Sequence, residues 1–287
     1  MVRKIFVDSR FRDSGNFANF QTTLATPVLH PKCRAYLDNI HIPNLFYTIH
    51  DNAKHIYIVE TWLTNPGTAQ EQGHARKRKI ALTVGHYDIQ SLAVELARVL
   101  NLNSFFPAGN TYNVTHSAST GRLTITLTNG GNDPIVSIWS MEYLKRYKDT
   151  WIDHTSNQVG TVVDDDDCYL ALGFTNSNII EITSTAPYTA HAHVSVLPLH
   201  TLYLTCAFGL GSNEDCIGAR GGNILRSIPV NAGFGNMIHD QLQNPFDFIE
   251  LEAGQLRSFS FALRDTFQRE VDLRHHFSFS IILVEEE

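Results

Sequence analysis

Two histidines are the residues of this chain whose type and spacing best suit metal chemistry. His191 and His193 are separated by a single residue, Ala192. On a β-strand, side chains two positions apart point to the same face, so the two imidazoles could share one metal ion. A metal site of this kind needs a further ligand close by in sequence or space.

The residues that follow the pair do not supply that ligand. Metal-binding jelly rolls of the cupin class carry a carboxylate shortly after such a pair, where this chain has Val196 and Leu197. A later segment, 229–239, has only a passing similarity to the second cupin motif. We therefore interpret His191 and His193 as surface or loop histidines and assign no metal ligand, with a cupin-like metal enzyme as an alternative.

Two runs of like charge are the next candidates for ion binding. The aspartates of 164–167 (Asp164 to Asp167) offer the clustered oxygens that calcium prefers, but they lack the EF-hand spacing. The basic run 76–79 suits a basic patch or a nuclear import signal. We interpret both runs as solvated loop segments, because that is the usual setting of adjacent like charges.

Signatures of phosphate binding and of hydrolysis are missing from the sequence. The glycine-rich stretches 209–211 and 218–222 do not join a strand to a capped helix, so they predict flexible loops. No GxSxG, HExxH or paired-carboxylate pattern occurs. We therefore assign no catalytic residue and no cofactor, and we expect that the protein is not an enzyme.

Composition narrows the class of protein further. The chain has 287 residues, of which 43% are hydrophobic and 18% charged, so a large core is expected and disorder is excluded. The net charge of −7 argues against a protein that holds nucleic acid by bulk electrostatics. Neither a signal peptide nor a membrane-spanning segment is expected, since no apolar run has the required length.

The four cysteines predict reduced thiols. Cys33, Cys168, Cys206 and Cys216 are widely scattered and form no CxxC pair. We expect them to be mostly buried in an intracellular environment, with neither a zinc site nor a disulfide framework.

Alternation of apolar and polar residues predicts mainly β-strands. Residues 123–128 alternate and precede Asn129-Gly130, so we predict a hairpin with 135–139. The alternating phenylalanines of 258–263 and 277–281 predict a second, closing hairpin across 265–272. Further strands are predicted, and long loops are expected at 65–78 and 150–167. These strands are 35–42, 55–63, 79–84, 179–183 and 194–206.

One segment has helical periodicity instead. Apolar residues recur every three or four positions over 88–100, and Asp88 can cap the start. A second helical turn is predicted near 142–147. The predicted fold is all-β: a single jelly-roll sandwich with inserted loops and strands and one amphipathic helix. We expect one elaborated domain over 1–287, with a helix-containing insertion at about 85–165.

Six phrases follow one another along the chain: VDSRFRDSGNFANFQTTL (7–24), AYLDNIHIPNLFYTI (35–49), VGHY (84–87), YLALGF (169–174), LRD (263–265) and VDL (271–273). In this order they resemble the penton (minor capsid) proteins of polinton-like viruses, adintoviruses and virophages. The similarity runs from about Val7 to Val284. Where such proteins often carry a glycine after the aspartate of the closing segment, this chain has Thr266.

This resemblance implies a structural virion protein. Five copies would form a homopentamer at each five-fold vertex of an icosahedral capsid, next to a double-jelly-roll major capsid protein. A closed ring needs one heterologous interface and no active site, which agrees with the low charge of the chain. A spike or a host receptor would be a further partner. No membrane insertion and no specific nucleic acid are expected, and the protein would be located in the virion.

A binding module is a second alternative function, in addition to the metal enzyme. A carbohydrate- or receptor-binding jelly-roll module would present aromatic side chains on outward loops. Trp62, Trp139 and Trp151 are the residues on which that alternative depends.

Overall fold

Strands dominate the fold. The computed structural model describes residues 2–102, 104–147, 151–160, 162–163, 166–174, 179–196, 199–206, 224–244, 246–251, 253–266 and 269–285, and only the backbone of Tyr147. These ranges contain nineteen strands and three α-helices. The predicted all-β class is therefore confirmed. No helix in the described ranges is long and apolar enough to cross a membrane.

The chain divides into two compact units. Unit 1 comprises 1–46 and 199–287, and unit 2 comprises 47–198. The predicted insertion at about 85–165 lies inside unit 2, whose bounds are wider. That the chain is one elaborated domain stays a prediction.

Unit 1 is built from two five-stranded antiparallel sheets. In sheet I the order is β1-β19-β4-β16, and β17 also pairs with β4. In sheet II the order is β15-β14-β18-β3-β2. The strands are β1 (Val2–Asp8), β2 (Ser14–Gly15), β3 (Asn19–His30), β4 (Cys33–Pro43), β14 (Thr201–Cys206), β15 (Ile224–Pro229), β16 (Met237–Gln241), β17 (Ile249–Leu251), β18 (Gly254–Arg264) and β19 (Ser278–Glu285).

Aromatic rings fill the space between these two sheets. Phe261 of β18 and Phe279 of β19 meet edge to face, with ring centroids 4.8 Å apart. Phe20 of β3 lies against Phe261 and also against Phe277. The predicted closing hairpin is therefore wrong, because β18 and β19 belong to opposite sheets. Their apolar faces pack against each other across the core, each strand belonging to a different sheet.

Unit 2 contains the remaining strands and all three helices. Its sheets have the orders β12-β9-β5-β6 and β13-β8-β7, and β10 pairs with β11. The elements are β5 (His55–Thr64), β6 (Gln72–Ala81), α1 (Ile89–Asn101), β7 (Tyr112–Ser117), β8 (Arg122–Leu127), β9 (Ile135–Ile138), α2 (Met141–Tyr147), β10 (Ile152–Asp153), β11 (Gln158–Val159), α3 (Tyr169–Leu172), β12 (Ile180–Thr183) and β13 (Tyr188–Thr189).

The amphipathic helix lies where its periodicity predicts it. Asp88 caps α1 by accepting a hydrogen bond from the Ser91 amide at 2.7 Å, and the Ser91 hydroxyl accepts in turn from the Asp88 amide. Leu92 and Leu96 point into the core of unit 2. The predicted second helical turn is present as α2.

The predicted hairpin after Asn129-Gly130 is not formed. Strand β8 pairs with β7 and β13, whereas β9 pairs with β5 and β12. The Asn129 side chain accepts hydrogen bonds from the Gly131 and Asn132 amides, so the segment is a turn. This turn passes the chain from one sheet to the next instead of folding it back on itself.

The second half of the loop predicted at 65–78 belongs to a strand, whereas the first half is a loop as predicted. Residues 72–81 form β6, which pairs along its whole length with β5. The charged residues of this strand concealed its alternation, since Arg78 and Ile80 point inward while Lys77 and Lys79 point to the opposite face. The strands predicted at 35–42, 55–63 and 179–183 are confirmed, and those at 79–84 and 194–206 are confirmed only in part.

Candidate functional site

The first strand presents an unpaired edge and an apolar outer face. In the described part of the chain, β1 pairs only with β19, which leaves its other edge without a strand. Phe6 on this strand is 76% exposed and Val2 is 66% exposed. Long edges with apolar side chains are normally covered, because they otherwise template pairing with another chain.

The register shows how the apolar face extends across sheet I. Lys4 lies opposite Ile282, which lies opposite Tyr36, and Val2 lies opposite Val284. The Phe248 ring packs on Tyr36, with centroids 5.6 Å apart. Outer faces of antiparallel sheets are usually polar, so this one is a candidate interaction surface. We call the surface formed by Val2, Phe6, Tyr36, Phe248, Ile282 and Val284 the β1 face.

One charged cluster borders the β1 face. Asp38 is the extra residue where the register of β4 shifts against β19. Its carboxylate accepts from Lys4 Nζ at 2.6 Å and from the Ser280 hydroxyl at 2.8 Å. The bond from Lys4, aided by Ser280, outweighs burial and lowers the pKa of Asp38.

Polar turns account for several phrases that resemble penton proteins. Asp8 caps a short 3-10 turn by accepting from the Arg10 amide, and the buried Ser9 hydroxyl accepts from the Phe277 amide at 3.0 Å. Asp265 accepts from the Arg269 amide and from its Nε, each at 2.8 Å. This carboxylate joins the two ends of the segment between Asp265 and Arg269.

The structure does not bring His191 and His193 into a metal site. Both side chains are exposed and lie beyond the end of β13 rather than on a strand. His191 Nδ1 lies 3.1 Å from the Tyr188 hydroxyl. In the ranges described above, no three His, Cys, Asp or Glu side chains are close enough to hold a metal ion.

The aspartate run has a buried member. Asp164 and Asp165 lie outside the described residues, but Asp166 is buried and its carboxylate is 2.8 Å from both Lys79 Nζ and His55 Nδ1. It also accepts from the Tyr57 hydroxyl at 2.9 Å. Burial raises the pKa of Asp166, but these hydrogen bonds outweigh it and the pKa lies below its ordinary value. A solvated loop is therefore the wrong interpretation for Asp166.

The basic run is also partly internal. Arg78 is buried, and its guanidinium donates to Glu60 and to the backbone carbonyls of Leu100 and Leu102 at the end of α1. Lys77 lies over the Trp139 and Trp151 rings, about 5 Å from each centroid. The interpretation of the run as a solvated loop is wrong, because residues 76–79 belong to strand β6 and Arg78 points into the core.

Glu60 is the buried polar residue that sequence analysis missed. Its carboxylate accepts from Arg78, from the Ser104 hydroxyl, from the Phe105 amide and from the Tyr112 hydroxyl, at 2.6 to 2.9 Å. Only its position in an otherwise apolar run of β5 could have indicated it. With every partner internal, this carboxylate holds the end of α1 on the sheet.

A cysteine, a histidine and an aspartate are close together in unit 2, yet they are not arranged for nucleophilic catalysis. The Cys168 thiol donates to the backbone carbonyl of His55 at 3.5 Å. Burial raises the pKa of this thiol well above its ordinary value, so the reactive thiolate is disfavoured. The cluster therefore stabilises the start of β5.

The remaining candidates are packed or lie outside the described residues. Trp151 is fully buried, and Trp62 stacks on His74 with centroids 5.2 Å apart. Cys33, Cys168 and Cys206 are buried, as predicted. Cys216 and both glycine-rich stretches lie outside the described residues.

Similarity between this chain and known proteins is found in the three-dimensional structure and not in the sequence. No family model matches the chain, and the comparison with curated proteins finds no match. The crystal structure of the selenomethionine-labelled mavirus penton protein aligns over 98% of this chain and 99% of that chain, with a TM-score of 0.51 and 10% identity. A chain of the Sputnik virophage cryo-EM structure aligns over 99% and 97%, with a TM-score of 0.42 and 11% identity. The predicted resemblance is thus confirmed for the fold, and this chain has the fold of the mavirus penton protein.

Proposed function

We propose that the protein is a structural component of a virion: a minor capsid, or penton, protein. The observation that carries this proposal is the fold similarity to the mavirus penton protein over nearly the whole of both chains. A chance structural similarity between two β-sandwich proteins would be expected to cover a single sandwich only. Here the alignment also spans unit 2, with its helices and its separate sheets.

The proposed assembly is a homopentamer at the five-fold vertices of an icosahedral capsid, in contact with a double-jelly-roll major capsid protein. A five-fold ring repeats one heterologous contact until it closes. The β1 face supports this arrangement, because it joins an unpaired strand edge to an apolar surface with Phe6 at its border. Interfaces of this kind exclude water around a few large side chains.

Mass in solution tests the assembly. Light scattering behind a sizing column, over a range of protein concentrations, should find a species near five times 32.3 kDa. Class averages from negative-stain electron microscopy should then have five-fold symmetry. A strict monomer at every concentration would contradict the proposed self-assembly.

A pair of variants tests the surface. Phe6→Asp places a charge on the β1 face and should shift the mass towards the monomer. Leu170→Asp is the matched control, since Leu170 is 68% exposed but lies in unit 2, on α3. If wild type is a pentamer and Phe6→Asp leaves it intact, the pentamer stands and the β1 face is not its interface.

A further inference from the structure

Two histidines face each other across the edge of sheet I. His41 of β4 and His239 of β16 are directly opposed in the strand register. Their rings stack with centroids 4.4 Å apart and planes inclined by 24°. Their Nδ1 atoms are 3.0 Å apart, which is hydrogen-bond distance.

Only one of the two Nδ1 atoms can carry a proton while this hydrogen bond is formed. A hydrogen bond between two ring nitrogens needs one N–H and one lone pair. The Gln241 amide nitrogen lies 2.8 Å from His239 Nε2 and can only donate, so His239 carries its proton on Nδ1 and donates to His41. Protonation of His41 at Nδ1 then sets two N–H groups against each other, and protonation of both rings also sets two positive charges against each other.

The surrounding carboxylates do not offset this repulsion, because each has a cation of its own. Asp38 on β4 binds Lys4, and Asp240 on β16 binds Arg226 at 3.0 Å. In the part of the chain that the structure describes, neither imidazole has a carboxylate within ion-pair distance. Burial, and then the charge of His239, hold the pKa of His41 below its ordinary value.

The neighbouring strand contributes no charge at this position either. Ser278 of β19 lies opposite His41, and the next residue in that row is Asp8 of β1, which binds Arg10. His275 and His276 precede β19, and their ring centroids are 4.0 Å apart. Burial, and then the charges of His275 and Arg10, lower the pKa of His276.

The position of the pair makes the repulsion consequential. Among the residues that the structure describes, β16 pairs only with β4, over the five residues Met237–Gln241. His239 is the central residue of these five. Pushing the two rings apart therefore acts on the middle of a short ladder, and no second described strand pairs with β16.

We propose that the His41–His239 pair is a pH-sensitive switch. At neutral pH it closes the β4–β16 edge, and below about pH 6, where histidine becomes charged, double protonation opens that edge. Opening exposes the backbone groups of β4 between residues 39 and 43 to solvent or to another strand. The proposal does not depend on the assembly proposed above.

Hydrogen–deuterium exchange read by mass spectrometry tests the switch. Peptides that cover 237–241 should lose about tenfold or more of their protection between pH 7.5 and pH 5.0, after correction for intrinsic exchange rates. His239→Gln and His41→Gln should abolish this pH dependence. His74→Gln, which removes a stacked histidine from unit 2, should leave it intact.

The outcomes are decisive in both directions. Equal protection of 237–241 at the two pH values in wild type would overturn the proposal. So would a loss of protection that persists in both glutamine variants, since another group would then be responsible. His239 is exposed on an edge strand, so His239→Gln is expected to fold and keeps the test available even if His41→Gln does not.

Discussion

Arg78 Nη2 lies 2.8 Å from Glu60 Oε1, and the two side chains are only 2% and 0% exposed. A buried ion pair contributes little net stability by itself, because both charges lose their hydration. Breaking it is a different matter, since the remaining charge is left buried and unpaired. The pair therefore makes the position of α1 on its sheet dependent on one guanidinium.

Arg78→Met should lower the free energy of unfolding by about 3–5 kcal/mol, because Glu60 loses its cation inside the core. Urea denaturation measures this change. Arg76→Met in the same strand is the control; Arg76 is exposed, so its change should stay within about 0.5 kcal/mol. Equal effects of the two variants would show that Glu60 does not need the charge.

Phe261→Ala should lower the free energy of unfolding by about 3–5 kcal/mol. The reason is the cavity that it leaves between the two sheets, where Phe20 and Phe279 contact Phe261. The same denaturation experiment measures this change. Phe246→Ala removes an equal side chain from a site that is 80% exposed and lies outside the β1 face, so it should be close to neutral. A small loss for Phe261→Ala would mean that the two sheets do not share this core.

Glu95 makes stability depend on pH at the acid end. Hydrogen bonds from Arg98 and the Thr83 amide outweigh burial and lower the pKa of Glu95 to about 2, from 4.5. A depressed carboxyl pKa stabilises the fold above pH 4.5, and this stability is lost as the pH falls towards 2. Arg98 is half exposed, so screening reduces the contribution to about 1–2 kcal/mol.

The corresponding variant is Glu95→Gln. It should lower the free energy of unfolding at pH 7 and flatten its decline between pH 4.5 and pH 2. Glu142→Gln is the matched control, because Glu142 pairs with Arg146 at the surface, with both side chains more than half exposed. An unchanged acid limb in Glu95→Gln would assign the decline to other carboxyls.

Gly173→Ala should be destabilising for two separable reasons. Gly173 has φ +73°, and an added Cβ would lie 2.3 Å from the carbonyl oxygen of Ala192. Gly67 has φ +75° with open space around it, so Gly67→Ala measures the backbone strain alone, about 1 kcal/mol. Thermal unfolding should therefore place Gly173→Ala well below Gly67→Ala, and equal melting temperatures would rule out the close approach.

The elements that local pattern decides were predictable from the sequence. Asp88 and the three-four spacing after it identify α1, and alternation identifies β4 and most of β5. Pairing was not predictable, because β18 and β19 carry the same Phe-Ser alternation whether they join one sheet or two. The choice is made by contacts with β3, β4 and β14, which are distant in sequence.

The charged residues of β6 conceal the strand in the sequence for a related reason. Arg76, Lys77, Arg78 and Lys79 have the composition of an exposed loop, and the partners Glu60 and Asp166 give Arg78 a buried and Lys79 a half-buried position. Glu60 lies on β5, and Asp166 lies in the segment before α3, far from Lys79 in the chain. The His41–His239 pair was equally invisible, since 198 residues separate its members.

The pairing of β1 with β19 has a consequence for how the protein is made. Val2 lies opposite Val284, so β1 cannot pair with β19 until residues 278–285 have been translated. Unit 2 is continuous in sequence and can fold during synthesis, whereas sheet I is completed only after β19 has been made. A chain cut short before residue 278 would retain unit 2 but leave β1 and β4 without the strand that joins them, and such open edges invite aggregation.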